Sequence, residues 1–144
     1  SISLWMGIRR HIRFITFKDN IIFSYLVTSK EDYEVTASNQ IIASINLDTG
    51  LIDSPFYDLE KNIYEEHPLT KSPLLWLTIP KWPRTKRLVS RIKDTIPDNK
   101  YLQIDIVMTS DGPSLKDIST SPNYQEFQLL SLLNHQKLIK DIFN

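Results

Sequence analysis

Tyr101-Leu102-Gln103-Ile104-Asp105-Ile106-Val107-Met108-Thr109-Ser110-Asp111-Gly112-Pro113-Ser114-Leu115-Lys116-Asp117-Ile118-Ser119-Thr120 is the stretch on which the reading of this chain turns. Tyr101 to Thr109 and Ser114 to Ser119 read as strands. Ser110-Asp111-Gly112 between them has the form of a three-residue hairpin loop with glycine at the left-handed position. With that loop Thr109 pairs with Pro113, and four steps back along each strand Asp105 faces Asp117 on one side of the sheet. A two-residue loop would split the acids across two faces. Facing carboxylates repel unless a proton or cation lies between them. Magnesium is the natural occupant, with Asp105, Asp117 and Ser119, on the same face as Asp117, as oxygen ligands. The alternative is that one acid is solvated at an edge strand and the pair never meets.

Upstream of this hairpin, the apolar residues Leu88, Val89, Ile92 and Ile96 recur at three- and four-residue spacing, with Pro83 near the start and Pro97 just past the end, which predicts a helix over Pro83 to Ile96. Gly7 to Phe17 and Ile21 to Thr28, joined by Lys18-Asp19-Asn20, read as a hairpin. Gln40 to Leu47, alternating Ile41, Ala43, Ile45 and Leu47, turns at Asp48-Thr49-Gly50 toward Leu51-Ile52 as a second hairpin. Asp53 to Ser72 is irregular and reads as a long loop, and Leu74 to Ile79 as a short buried strand or loop segment. Downstream, Tyr124 to Phe143 reads as an amphipathic helix broken near Asn134. The expectation is one α+β domain over residues 1–144, a mainly antiparallel sheet with two flanking helices.

Composition narrows the function classes. The 144 residues suffice for one core and are short for two ordinary domains. Seventeen basic and 17 acidic residues give zero formal charge, so neither nucleic acid nor membrane is an expected partner, and any basic site is local. No cysteine is present, which excludes disulfides, thiolate zinc sites and thiol nucleophiles and is compatible with a cytoplasmic location. No apolar run approaches the roughly 20 residues needed to span a bilayer. Gly7, Gly50 and Gly112 are the only glycines, too few for either common phosphate loop. The start at Ser1 without methionine suggests processing or a piece of something longer.

Two basic clusters carry chemistry. Lys81, Arg84, Lys86, Arg87, Arg91 and Lys93, with Trp82 among them, could hold an anionic partner such as single-stranded nucleic acid. They could equally be a solvated helix face balanced by the acidic stretch Glu31 to Glu66. Strand alternation puts Arg9, His11 and Arg13 on one side and Arg10 on the other, an arrangement able to hold polyphosphate or simply to face solvent. His11, His67 and His135 are too dispersed to suggest a metal triad. His67-Pro68 is a candidate substrate contact and His135 a surface helix residue. Trp5, Trp76 and Trp82 read as core or rim aromatics.

The order of these motifs resembles the end of the ATP-grasp fold, and most closely the sugar-transfer-associated ATP-grasp family. Asp105, the turn ending in Gly112-Pro113, Asp117-x-Ser119 and the Gln125 to Gln128 run are similar to the family's aspartate strand, Gly-Pro turn, Glu-x-Asn strand and downstream Gln. Upstream, His11-Ile12-Arg13-Phe14-Ile15-Thr16 is similar to its Thr-Leu-Arg-x-x-Thr, and Ile45-Asn46-Leu47-Asp48-Thr49-Gly50 to its Ile-Asp-x-x-Thr-Gly. His67-Pro68-Leu69-Thr70 and Ile79-Pro80-Lys81-Trp82 are similar to His-Pro-x-Thr and Ile-Pro-x-Trp. The likeness runs from about Ile8 to Gln128 and implies the C-terminal subdomain of that fold. It also implies that Asp105 and Asp117 hold magnesium on ATP phosphates, and that Arg13 is the catalytic and cofactor-binding arginine, meeting phosphate or an acyl phosphate.

The implied activity is a cytoplasmic carboxylate–amine ligation, in a setting of polysaccharide biosynthesis, with a small-molecule carboxylate and a nucleotide as partners. Departures are visible. Asp117 stands for the family's Glu, Ser119 for its Asn, and Thr36-Ala37 and Gln40-Ile41 for an Asp-Asn and a Gly-Gly. An ATP-grasp clamps nucleotide between two subdomains, so this half implies a missing N-terminal half or a partner chain. A degenerate, non-catalytic binding or assembly module is the alternative reading, and an unrelated α+β domain using Lys81 to Lys93 a third.

Overall fold

A computed structural model describes residues 10–31, 34–68, 71, 76–96, 101–121, 126, 128 and 129. Its strands are β1 (Arg10–Phe17), β2 (Asn20–Ser29), β3 (Gln40–Ser44), β4 (Phe56–Tyr57), β5 (Ile63–Tyr64), β6 (Tyr101–Thr109) and β7 (Gly112–Ser119), with helix α1 (Trp82–Asp94) between β5 and β6. They form one antiparallel sheet in the order β5-β4-β3-β2-β1-β6-β7. The chain after α1 therefore returns to pair beside β1, which becomes a central strand.

β1 is buried almost throughout because both sheet faces are covered. Ile12 and Phe14 point into a cluster with Leu26, Ile104, Ile106, Trp82 and Val89 under α1. Ile15 points the other way, to Tyr25, Val27, Ile42 and Leu129. α1 is anchored by Trp82, whose ring stacks on Phe14 at 5.4 Å between centroids and whose indole N–H donates to the Leu47 carbonyl at 2.8 Å. Gly50 has φ of 77°, and a Cβ there would lie 2.5 Å from Trp82 Cγ, so the Asp48-Thr49-Gly50 turn needs glycine for both backbone and space.

Several expectations change against this framework. The second hairpin shrinks: β3 ends at Ser44, and the return contributes only the bridge of Ile45 to Ile52. The long loop contains the small β4–β5 hairpin, held by Asp58, whose carboxylate accepts from the Glu60 and Asn62 amides, the Asn62 side chain and the Tyr64 hydroxyl. Part of the Leu74 to Ile79 segment lies outside the described residues, but Thr78 bridges Leu51 and Ile79 is buried. Trp76 is exposed, not a core aromatic, while Trp82 is core and Trp5 lies outside the described residues.

Of the two flanking helices expected, α1 is the one formed by described residues throughout. Of the expected helix from Tyr124 to Phe143, Glu126, Gln128 and Leu129 are helical, and the remainder, with His135, lies outside the described residues. No helix among the described residues is long and apolar enough to cross a membrane.

The deciding hairpin is built differently from its expectation. Thr109 pairs with Gly112, leaving a two-residue loop of Ser110 and Asp111. An unbroken ladder from that loop would set Lys116 opposite Asp105. Instead the register shifts between Asp105 and Ile106: Ile106 pairs with Leu115 and Asp105 with Asp117, so Lys116 is the extra residue of a β-bulge. The bulge restores the facing acids that a three-residue loop would have produced.

Candidate functional site

Antiparallel pairing aligns Tyr25 on β2, Arg13 on β1, Asp105 on β6 and Asp117 on β7 in one row across the sheet. Directly paired residues share a face, and this row lies on the face opposite α1. There the side chains line an open cavity of about 420 Å³, whose walls include His11, Arg13, Asp105, Lys116, Asp117 and Glu126, with Thr36, Ala37, Gln40, Gln103 and Ser121.

Arg13 is the centre of the floor. Its Nε donates to Asp105 Oδ1 at 2.8 Å and its Nη2 to Asp105 Oδ2 at 3.1 Å, a two-pronged carboxylate clamp. Nη1 donates to Glu126 Oε1, and Nη2 also lies 3.2 Å from His11 Nε2. Burial alone would lower the guanidinium's pKa, but the hydrogen bonds and charges of Asp105 and Glu126 outweigh it and hold Arg13 above its ordinary value. Burial raises Glu126 above the usual carboxylate range, an effect that Arg13 reduces without cancelling. Burial and the neighbouring Glu126 raise Tyr25, which therefore keeps its proton and donates to Glu126 Oε1 at 3.4 Å.

His11 is held neutral. Burial pushes its pKa down to about 4, with Arg13 and Lys116 adding to the depression and Asp105 opposing it. A protonated ring between an arginine and a lysine would face two like charges.

The residues expected to act are thus partly assembled. Asp105 and Asp117 do face each other and both line the cavity. Asp105 is buried and Asp117 exposed. Arg13 adjoins them, but four of its donor contacts go to protein groups. Ser119 pairs with Gln103 one row along the sheet. Its hydroxyl donates to the Ser121 carbonyl and accepts the Ser121 amide, each at 3.1 Å, and Ser121 is the residue that reaches the cavity. His67 lies away from the cavity, its Nε2–H donating to the Ser29 carbonyl at 2.7 Å. Arg9 lies outside the described residues. Lys86, Arg87 and Lys93 of the basic stretch line a different hollow, of about 520 Å³, against Asp19, Ile21, Leu47 and Asp48 beside α1.

Glu126 and Lys116 escaped the sequence reading. Glu126 lies inside the Gln125 to Gln128 run and was masked by its glutamines, while Lys116 enters the cavity only because of the bulge.

Among the described residues no three His, Cys, Asp or Glu side chains are arranged to hold a metal by themselves. Two carboxylates of hard oxygen chemistry fit a magnesium ion that draws the rest of its shell from phosphate and water. Acids in the lining outnumber permanent cations three to two, so a polyphosphate would meet net repulsion without accompanying metal.

The model of the sugar-transfer associated ATP-grasp family matches residues 10–141. No curated protein and no solved structure matches the chain.

Proposed function

This chain belongs to the sugar-transfer associated ATP-grasp family, and on that premise we propose that it binds magnesium-ATP as part of a carboxylate–amine ligase. In this reaction a substrate carboxylate oxygen attacks the γ-phosphorus of ATP, the bond to the β-phosphate oxygen breaks, and ADP leaves. The resulting acyl phosphate is captured by an amine, which loses a proton as inorganic phosphate departs. Bound magnesium would neutralise phosphate charge.

The chain's own contribution is positional. Asp105 and Asp117 present oxygen ligands from adjacent strands, and Arg13 fixes the orientation of the Asp105 carboxylate. The observation that carries this reading is the pairing of Asp105 with Asp117 at the wall of the cavity. The adenine pocket would come from a preceding half or a partner chain, the acceptor chemistry would be that of polysaccharide biosynthesis, and the cytoplasm is the proposed location.

Isothermal titration of the chain with magnesium-ATP, repeated with Asp117→Asn, tests the reading. Binding that disappears in the variant supports it. Absence of heat with the chain both alone and supplied with its nucleotide-binding half overturns it. One observation favours the second reading, a non-catalytic module descended from such an enzyme: Arg13 is bonded to Asp105 and Glu126 rather than open to an anion. Under that reading magnesium-ATP would not bind in either setting.

A further inference from the structure

The bulged lysine answers a question raised by Arg13, most of whose N–H groups already go to protein partners: which cation in the cavity can meet an anion. Lys116 is the residue left without a cross-strand partner where Asp105 pairs with Asp117 and Ile106 with Leu115. A bulge re-aims side chains, and here Lys116 and Asp117, although adjacent in sequence, both line the cavity. The lysine Nζ lies 3.4 Å from His11 Nδ1, while Arg13 Nη2 lies 3.2 Å from His11 Nε2. A neutral imidazole has one lone-pair nitrogen and one N–H, so it can accept from only one of these two cations. Arg13 has three further hydrogen bonds to carboxylates, whereas the contact to His11 is long for Lys116 and is its only one described.

We propose that Lys116 is the anion-binding side chain of this site, swinging from His11 to a phosphate oxygen of a metal-bound polyphosphate held at Asp105 and Asp117, while Arg13 stays in its carboxylate clamp as a positioning residue. The identity of the polyphosphate as ATP rests on the function proposed above. The anion site itself does not.

Titrations of the full chain with magnesium-ATP and, separately, with magnesium tripolyphosphate test this in wild type, Lys116→Met, Lys116→Arg and Asp117→Asn, each checked for an unchanged circular dichroism melt. Loss of a charge-assisted hydrogen bond predicts about ten- to hundredfold weaker binding in Lys116→Met and retention within about threefold in Lys116→Arg. If Lys116→Met binds both probes like wild type while Asp117→Asn loses them, Lys116 is not the anion ligand and the nucleotide reading stands. If wild type takes tripolyphosphate in a Lys116-dependent way but takes ATP neither alone nor with its nucleotide-binding half supplied, the nucleotide reading falls and the anion site stands. Failure of wild type to bind either probe overturns the anion site, and failure of magnesium-ATP also when the nucleotide-binding half is supplied overturns the nucleotide reading.

Discussion

The two faces of the sheet are made by the same strands and obey opposite rules. Toward α1, β1 presents Ile12 and Phe14 to Trp82, Val89, Ile104 and Ile106, a dry contact governed by shape. Toward the cavity the alternate residues of the same strand, His11 and Arg13, meet Asp105, Lys116 and Glu126, where every group must find a partner of the right charge. One strand with a two-residue period serves both, so close packing and charge pairing are set at alternate positions. The apolar face tolerates loss of volume at a graded cost, whereas the polar face fails abruptly when one member leaves.

The sharpest way to break that contrast is Arg13→Ala. Removing the cation leaves Asp105 and Glu126 buried without their counter-charge, for an expected loss of about 3–5 kcal/mol in urea unfolding. A loss below about 1 kcal/mol would mean that water hydrates the two carboxylates in place of Arg13.

Acid comes next. His11 is depressed to about 4 in the fold, and burial also lowers His67, against an ordinary value near 6.5. Between those limits the unfolded chain takes up protons that the folded chain refuses, so stability falls as pH drops. The His11 share is about 2 kcal/mol from pH 7 to pH 5, measured without metal. His11→Gln should flatten that slope, and an unchanged slope would assign the acid sensitivity elsewhere.

On the α1 face, Gly50→Ala forces a methyl toward Trp82 at positive φ and should cost about 1–2 kcal/mol while leaving polyphosphate binding unchanged. Smallest is Lys93→Ala. Its pairing with the exposed Asp94 should be worth under about 0.5 kcal/mol, within the error of a thermal melt.

Much of this was legible in the residues. The three- and four-residue apolar spacing around Val89 locates α1 to within two residues at each end, and Lys18-Asp19-Asn20 locates the first turn to within one residue, Asn20 already belonging to β2 and pairing with Phe17. The facing of Asp105 and Asp117 was also read, by a loop count that the structure replaces. One extra residue is indeed present, but it lies in the strand as Lys116 rather than in the turn, and both placements yield the same pairing. Strands of two residues, such as β4 and β5, are too short to carry a period, so they were hidden inside an apparent loop. Glu126 was hidden for a different reason: its place beside Arg13, 113 positions away in sequence, is decided by tertiary packing that no local pattern records.

The bulge has a consequence for how this hairpin can change over time. Deleting residue 116 would convert β6–β7 into an unbroken ladder from the same turn, with the two aspartates still opposite one another. Loss or gain of a single codon could therefore remove or install the lysine while leaving the acid pair in place. The edge strand is thus a point where the hairpin can change in length by one residue, and lose or gain a cavity lysine, with the register of the acid pair kept.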